Sequence, residues 1–222
     1  MSKGLIKALR KVFIFTLLLL AGCSMLLSKQ SIQVTYYSLD SIKSKTQTDS
    51  RLSTNDTSPT LIITMPKAAA GFDTRHMMYT RTTHQIEYFA QSEWVDTPAH
   101  VLQTLIVSAI EQTNSFTAVL PKQSSVKSDL RLESEIVRII QVFYHKPSQV
   151  QFVLRATIIN NMTNKVVAYR EFDEQVNAVT DNAMGGVIAA NQAVNTALEK
   201  LSLFSHEAAI AWGEANITNK KP

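Results

Sequence analysis

Residues 150–160 read VQFVLRATIIN, and their alternation decides the fold class. Phe152, Leu154, Ala156 and Ile158 fall on one face of an extended chain, with Gln151, Arg155 and Thr157 on the other. A period of two with aromatic and aliphatic side chains on one side marks a half-buried strand. Its neighbours read the same way. Leu130 to Tyr144 and Val166 to Val176 are long strands, and Asn160-Asn161-Met162-Thr163-Asn164 supplies turn chemistry between the last two. The three together predict an antiparallel meander.

Downstream, the spacing predicts a long helix in which Val187, Ile188, Val194, Leu198 and Leu201 face the core, with Asp181 as its cap. Upstream, Asp96-Thr97-Pro98 is a helix start, with Thr97 at the N-cap and Pro98 in the first turn. Leu102, Leu105, Ile106, Ala109 and Ile110 give that helix one apolar face to about Gln112. Five shorter strand signals surround it. Ile32, Val34 and Tyr36 alternate with Gln33, Thr35 and Tyr37 as a half-buried strand, and Leu61 to Met65 is stopped by Pro66. Arg75–Thr80 and His84–Ala90 flank a turn at Arg81-Thr82-Thr83, and Phe116 to Leu120 is closed by Pro121. β-rich segments with one helix in each half predict an α+β single domain. Its sheet is mainly antiparallel or mixed and packs against two main helices. Asp40 to Thr60 is a long polar loop.

The formal charge of +4 is concentrated at one place. Lys3, Lys7, Arg10 and Lys11 are the charged side chains of residues 1–22, and without them 18 basic residues face 18 acidic ones. A neutral domain removes the main support for nucleic-acid binding driven by counterion release, so no nucleic-acid partner is expected. The same four charges precede an apolar stretch from Val12 to Gly22 that ends in Leu20-Ala21-Gly22-Cys23. A basic region, an apolar run and small residues at 21 and 22 form a secretory signal. Cysteine directly after Leu-Ala-Gly is a bacterial lipobox. Residues 1–22 are then a cleaved signal peptide, and Cys23 carries diacylglycerol and an N-acyl chain. The competing reading is an uncleaved membrane anchor, but the run through Leu27 has 16 residues, short of the roughly 20 a spanning helix needs.

Several acyl chains hold a protein on a membrane stably, where one does so only reversibly. Ser24 after the lipidated cysteine points to the outer membrane, periplasmic face, of a Gram-negative bacterium. Residues 23–31 form a lipidated tether. Eight residues separate Cys23 from Ile32, at most about 28 Å of extended chain. The domain therefore spans residues 32–212, and 213–222 reads as a flexible tail. Cys23 is also the single cysteine, so no intramolecular disulfide is available.

The search for chemistry yields no catalytic constellation and no metal-ligand spacing among the five histidines. Gly185-Gly186 opens a helix where amides could hold an anion, but close packing of helix on sheet explains the pair better. Tyr79, Tyr88, Phe89 and Trp94 make an aromatic cluster whose alternatives are core packing or a partner or lipid groove. Tyr79, Arg81, Tyr88 and Trp94 are the candidate contacts, and no cofactor is expected.

A set of ordered blocks then resembles a known family. Tyr36-Tyr37-Ser38-Leu39 after the lipobox, Gly71 to Tyr79 with Arg81, and Tyr88-Phe89-Ala90 are similar to the ABC-type transport auxiliary lipoproteins. Glu93 to Ala99, Asp129 to Leu132, Ala168 to Phe172 and Gly185 to Asn191 continue the match, over about residues 32 to 212. The resemblance implies a non-enzymatic, outer-membrane-anchored partner of an importer-like ABC transporter complex with a mammalian-cell-entry (MCE) domain protein. Such systems move phospholipid or other hydrophobic molecules between the two membranes. It also implies a capacity for homo-oligomers. Two other classes stay open at this point: an assembly or pilotin-like lipoprotein of another outer-membrane machine, and a lipid-anchored hydrolase.

Overall fold

The computed structural model describes residues 4, 7, 10, 11, 13, 33–40, 58–122 and 127–218. Cys23, its lipobox and most of the polar loop at 40–60 lie outside the described residues. Residues 1–33 and 34–222 are separate units. In the first, Gly4, Lys7, Arg10, Lys11 and Phe13 are helical.

The second unit is organised by its longest hairpins. Strands β7 (Leu130–Val142), β8 (Gln149–Asn160) and β9 (Val166–Asn177) form the expected meander. Both pairings are antiparallel. Along its free edge β7 accepts three shorter strands in succession, all parallel. They are β2 (Thr60–Ile63) beside Leu130–Leu132, β3 (Lys67–Ala68) beside Glu135–Ile136, and β4 (His76–Thr80) beside Gln141–Val142. Beyond β2 lies β6 (Ala118–Pro121), in parallel. Beyond β4 lies β5 (Glu87–Trp94), antiparallel, and then β1 (Thr35–Tyr37), parallel to β5. The sheet is thus mixed and open, and the fold is an α+β single domain.

Helices α1 (Pro98–Glu111) and α2 (Ala183–Thr218) share one core with the strands. Phe152, Leu154, Ala156 and Ile158 are all fully buried, as the alternation requires, together with Leu102, Ile106 and Ile110 of α1. Ala189, Ala190, Ala193 and Ala197 are buried on α2, and small side chains let this helix sit close to the sheet. The opposite sheet face is ionic. Arg155 bridges Glu135 at 3.0 Å and Glu171 at 2.9 Å, across the β7–β8–β9 pairs. Cross-strand pairs of opposite charge are the usual way to solvate such a face.

Five local expectations change. In β1, Tyr36 faces solvent and Tyr37 packs on the core, because the parallel register sets Tyr37 opposite the buried Trp94. Strand partners share a face. On α2, Ile188 is 45% exposed, since the alanines fill the side next to the sheet. The cap of α2 is Asn182, whose Oδ1 accepts from the Gly185 amide at 2.9 Å. Asp181 is turned the other way and accepts from the Ser148 amide at 2.7 Å. Thr97 holds the N-cap position of α1 in extended conformation, yet its side chain makes no capping bond. Finally, α2 runs to Thr218, into the segment expected as a tail. Trp212 packs on the core there, and no proline intervenes before Pro222.

Gly185 and Gly186 are packing positions. A Cβ on Gly185 would overlap the Thr180 carbonyl, and one on Gly186 would overlap the Gln141 side-chain oxygen. Gln141 is buried and donates to Ser148 Oγ at 2.9 Å and to the Asn182 carbonyl at 3.2 Å. That knot ties the β7–β8 loop to the start of α2.

Candidate functional site

The four candidate contact residues do not converge on one pocket. Tyr79, at the end of β4, is buried against Phe89 with ring centroids 4.6 Å apart and against Phe143 edge-on at 5.6 Å. Its hydroxyl donates to Glu87 Oε2 at 2.9 Å, and the Arg81 guanidinium approaches the same oxygen at 3.3 Å. Arg81 also lies over the Tyr79 ring, 4.9 Å from its centroid. The bond to Glu87, then burial, raises the Tyr79 pKa, with Arg81 opposing. Tyr79 therefore stays a neutral donor.

Tyr88 points the other way. It is 52% exposed and packs against the His76 ring at 5.3 Å. Trp94 is 5% exposed and belongs to the core. The reason for the split is a bulge: Met78 pairs with Tyr88 and His76 with Glu93, so β5 carries extra residues between them. A bulge re-aims side chains, and nothing in the local alternation announces it.

Arg75 is the residue that sequence reasoning did not single out. Its Nε donates to the Trp94 carbonyl at 3.1 Å, and its guanidinium lies over the Tyr36 ring at 5.2 Å. It is also 3.8 Å from Glu93, which His76 approaches at 3.5 Å. Tyr36, Arg75, His76 and Tyr88 thus make an exposed aromatic and cationic cluster on the β1–β5–β4 side. Arg75 sits in the Gly71 to Tyr79 block, but only the fold brings Tyr36 beside it.

Two further arrangements bear on chemistry. Ser115 Oγ lies 2.7 Å from His206 Nδ1, a pair joined across 91 residues. Acyl transfer would also need free amides aimed at an oxyanion. The amides of Thr113, Asn114 and Ser115 already donate, to Ile110 O, Glu111 O and Thr113 Oγ1. The pair is a tether between the α1 exit and α2. A groove of about 570 Å³ runs between the helices, lined by Leu105, Ala109, Leu198 and Leu203 with amides at Gln192 and Asn195. Beneath Trp94, beside Gly186 and Ala190, the void is only about 20 Å³, too small for a lipid chain. Among the described residues no cluster of His, Cys, Asp and Glu could hold a metal ion, and no helix is long and apolar enough to cross a membrane.

Comparison with known proteins adds a family-level match. The family model described as ABC-type transport auxiliary lipoprotein component matches residues 37–202. Protein XCC0632 from Xanthomonas campestris, assigned to DUF330, superposes with a TM-score of 0.64 at 18% identity, covering 78% of this chain and 96% of that one. A second crystal structure, of an uncharacterized protein, gives a TM-score of 0.59 at 12% identity, covering 77% of this chain and 97% of that one. At such identities the likeness shows the fold alone. Comparison with curated sequences gives no match.

Proposed function

Because the chain belongs to the ABC-type transport auxiliary lipoprotein component family, we propose that it docks an ABC-type, MCE-containing transport system to the outer membrane. In this reading Cys23 is acylated, residues 24–31 are a short tether, and the domain faces the periplasm. Phospholipid or another hydrophobic solute passes between the membranes, and this chain supplies an anchor and a docking surface rather than a reaction. The observation that carries the proposal is the family match over residues 37–202. The Leu20-Ala21-Gly22-Cys23 lipobox supports the anchor. The ionic β7–β9 face and the spent amides around Ser115 are compatible with a binding role.

Deletion of the gene tests this reading. Loss of the protein is expected to raise outer-membrane sensitivity to detergent, with recovery by the wild-type chain and not by Cys23→Ala. An unchanged barrier, or full recovery by Cys23→Ala, would count against it.

A further inference from the structure

The register of the sheet brings one set of connections together on the side from which the chain enters β1. Strand β9 is antiparallel to β8, which is antiparallel to β7, so β7 and β9 end together, with Val142 opposite Gln149 and Gln149 opposite Asn177. Strand β4 is parallel to β7 and finishes at Thr80 beside Val142. Strand β5 reverses that direction and β1 follows β5, so β1 runs away from this end, with Thr35 beside Ser92. The segments 81–86, 143–148 and 178–182 therefore gather on the side from which residues 33 and 34 lead into β1.

This end has the surface chemistry of a membrane interface. Ile86, Tyr144, Val179 and Met184 are all exposed there. Arg81 and Lys146 stand beside them, also exposed. The two carboxylates of this end are used internally, Glu87 by Tyr79 and Arg81, and Asp181 by the Ser148 amide. Aromatic and aliphatic side chains with snorkelling cations are what a bilayer surface takes from a peripheral protein. The surface is also held in shape. Gln141 joins Ser148 to the Asn182 carbonyl, and the Ala178 amide donates to the Ser148 carbonyl at 2.7 Å.

We infer that this end of the domain is a seat for a phospholipid surface, so that the sheet stands with its β7 and β9 C-terminal ends toward the membrane. The choice of a bilayer as occupant rests on the lipid anchor of the proposed function and on chain length. Ten residues from Cys23 to Gln33 span at most about 35 Å, so the anchor holds this end within reach of the headgroups. The far end carries Met162, 86% exposed, on the β8–β9 turn. Twelve residues of β8 place that turn roughly 40 Å from the seat.

The test uses the full chain, exported and processed in cells and reconstituted in vesicles of phosphatidylethanolamine and phosphatidylglycerol. Acylated Cys23 leaves any introduced cysteine as the one free thiol, so Ile86→Cys, Tyr144→Cys and Met162→Cys each take a single environment-sensitive fluorophore. All three side chains are exposed, so folding is not at risk, and melting curves check it. The expected result is at least a threefold stronger quenching by brominated lipid at 86 and 144 than at 162. Equal quenching at the three positions, none at any, or more at 162 overturns the seat. So does an in-cell crosslink from 144 to a protein rather than to lipid. Mass spectrometry of Cys23 separates this from the anchor. If Cys23 is not acylated the anchor reading fails, and the seat then stands or falls on whether the same single-cysteine variants in a Cys23→Ala background still show the 86 and 144 quenching.

Discussion

Replacing Gly186 by alanine probes the junction that holds α2 against the sheet. An added Cβ would overlap the side-chain oxygen of Gln141, which is 3% exposed and has no room to swing into water without leaving its site. Displacing Gln141 breaks its bonds to Ser148 Oγ at 2.9 Å and to the Asn182 carbonyl at 3.2 Å. Two such bonds are worth about 1–3 kcal/mol together. Alanine is favoured over glycine within a helix by about 1 kcal/mol, which offsets part of that. The net expectation is a loss of up to about 2 kcal/mol, or up to about 8 °C in Tm for a domain of this size. The assay is thermal and urea unfolding of Gly186→Ala, Gln141→Ala and the double variant. With Gln141 already truncated, the Gly186→Ala substitution meets open space and becomes neutral or stabilising, giving a coupling of about 1–3 kcal/mol. Gly186→Ala more stable than wild type, or the same change in both backgrounds, would refute the reasoning.

The carboxyl of Asp181 is held below the usual carboxylate range, first by the Ser148 amide and then by its hydroxyl. A group whose pKa is lower folded than unfolded adds stability above its unfolded value of about 3.9 and loses it as pH falls through the folded value. The Tm advantage of wild type over Asp181→Asn is therefore expected to shrink below about pH 4, and a gap constant from pH 6 to 3 would contradict this. In a Trp212→Phe background, Trp94 emission should be blue-shifted and poorly quenched by acrylamide, and full quenching would place Trp94 at the surface. Cys23→Ala should leave unprocessed precursor at the inner membrane. Recovery of processed variant in the outer-membrane fraction would remove the anchor.

The long strands were legible because each carries an uninterrupted alternation, and a slip by one residue would expose Phe152, Leu154 and Ile158 together. Helix α1 was legible from Thr97-Pro98 and the spacing of Leu102, Ile106 and Ile110. What local pattern does not encode is which strands become neighbours. The three parallel strands along one edge of β7 follow from chain crossings, and β3, two residues long, has no period to read. The facing of Tyr36 and Tyr37 was ambiguous for the same reason, since both are large and only the pairing with Trp94 separates them. At the start of α2, Asp181 and Asn182 are adjacent good caps, and a long-range amide, that of Ser148, takes the aspartate. Among the candidate contacts, the aromatic residues were visible as a cluster. The β5 bulge that lets Trp94 enter the core while Tyr88 faces outward was not.

The docking role itself is tested most directly by in-cell crosslinking followed by affinity purification of the acylated protein from detergent-solubilised envelopes, with identification of every recovered protein. The account predicts an MCE-domain protein together with the ATPase and permease of an ABC system. Recovery instead of secretin or lipopolysaccharide-export components, or of this chain with none of those transport proteins, would contradict it.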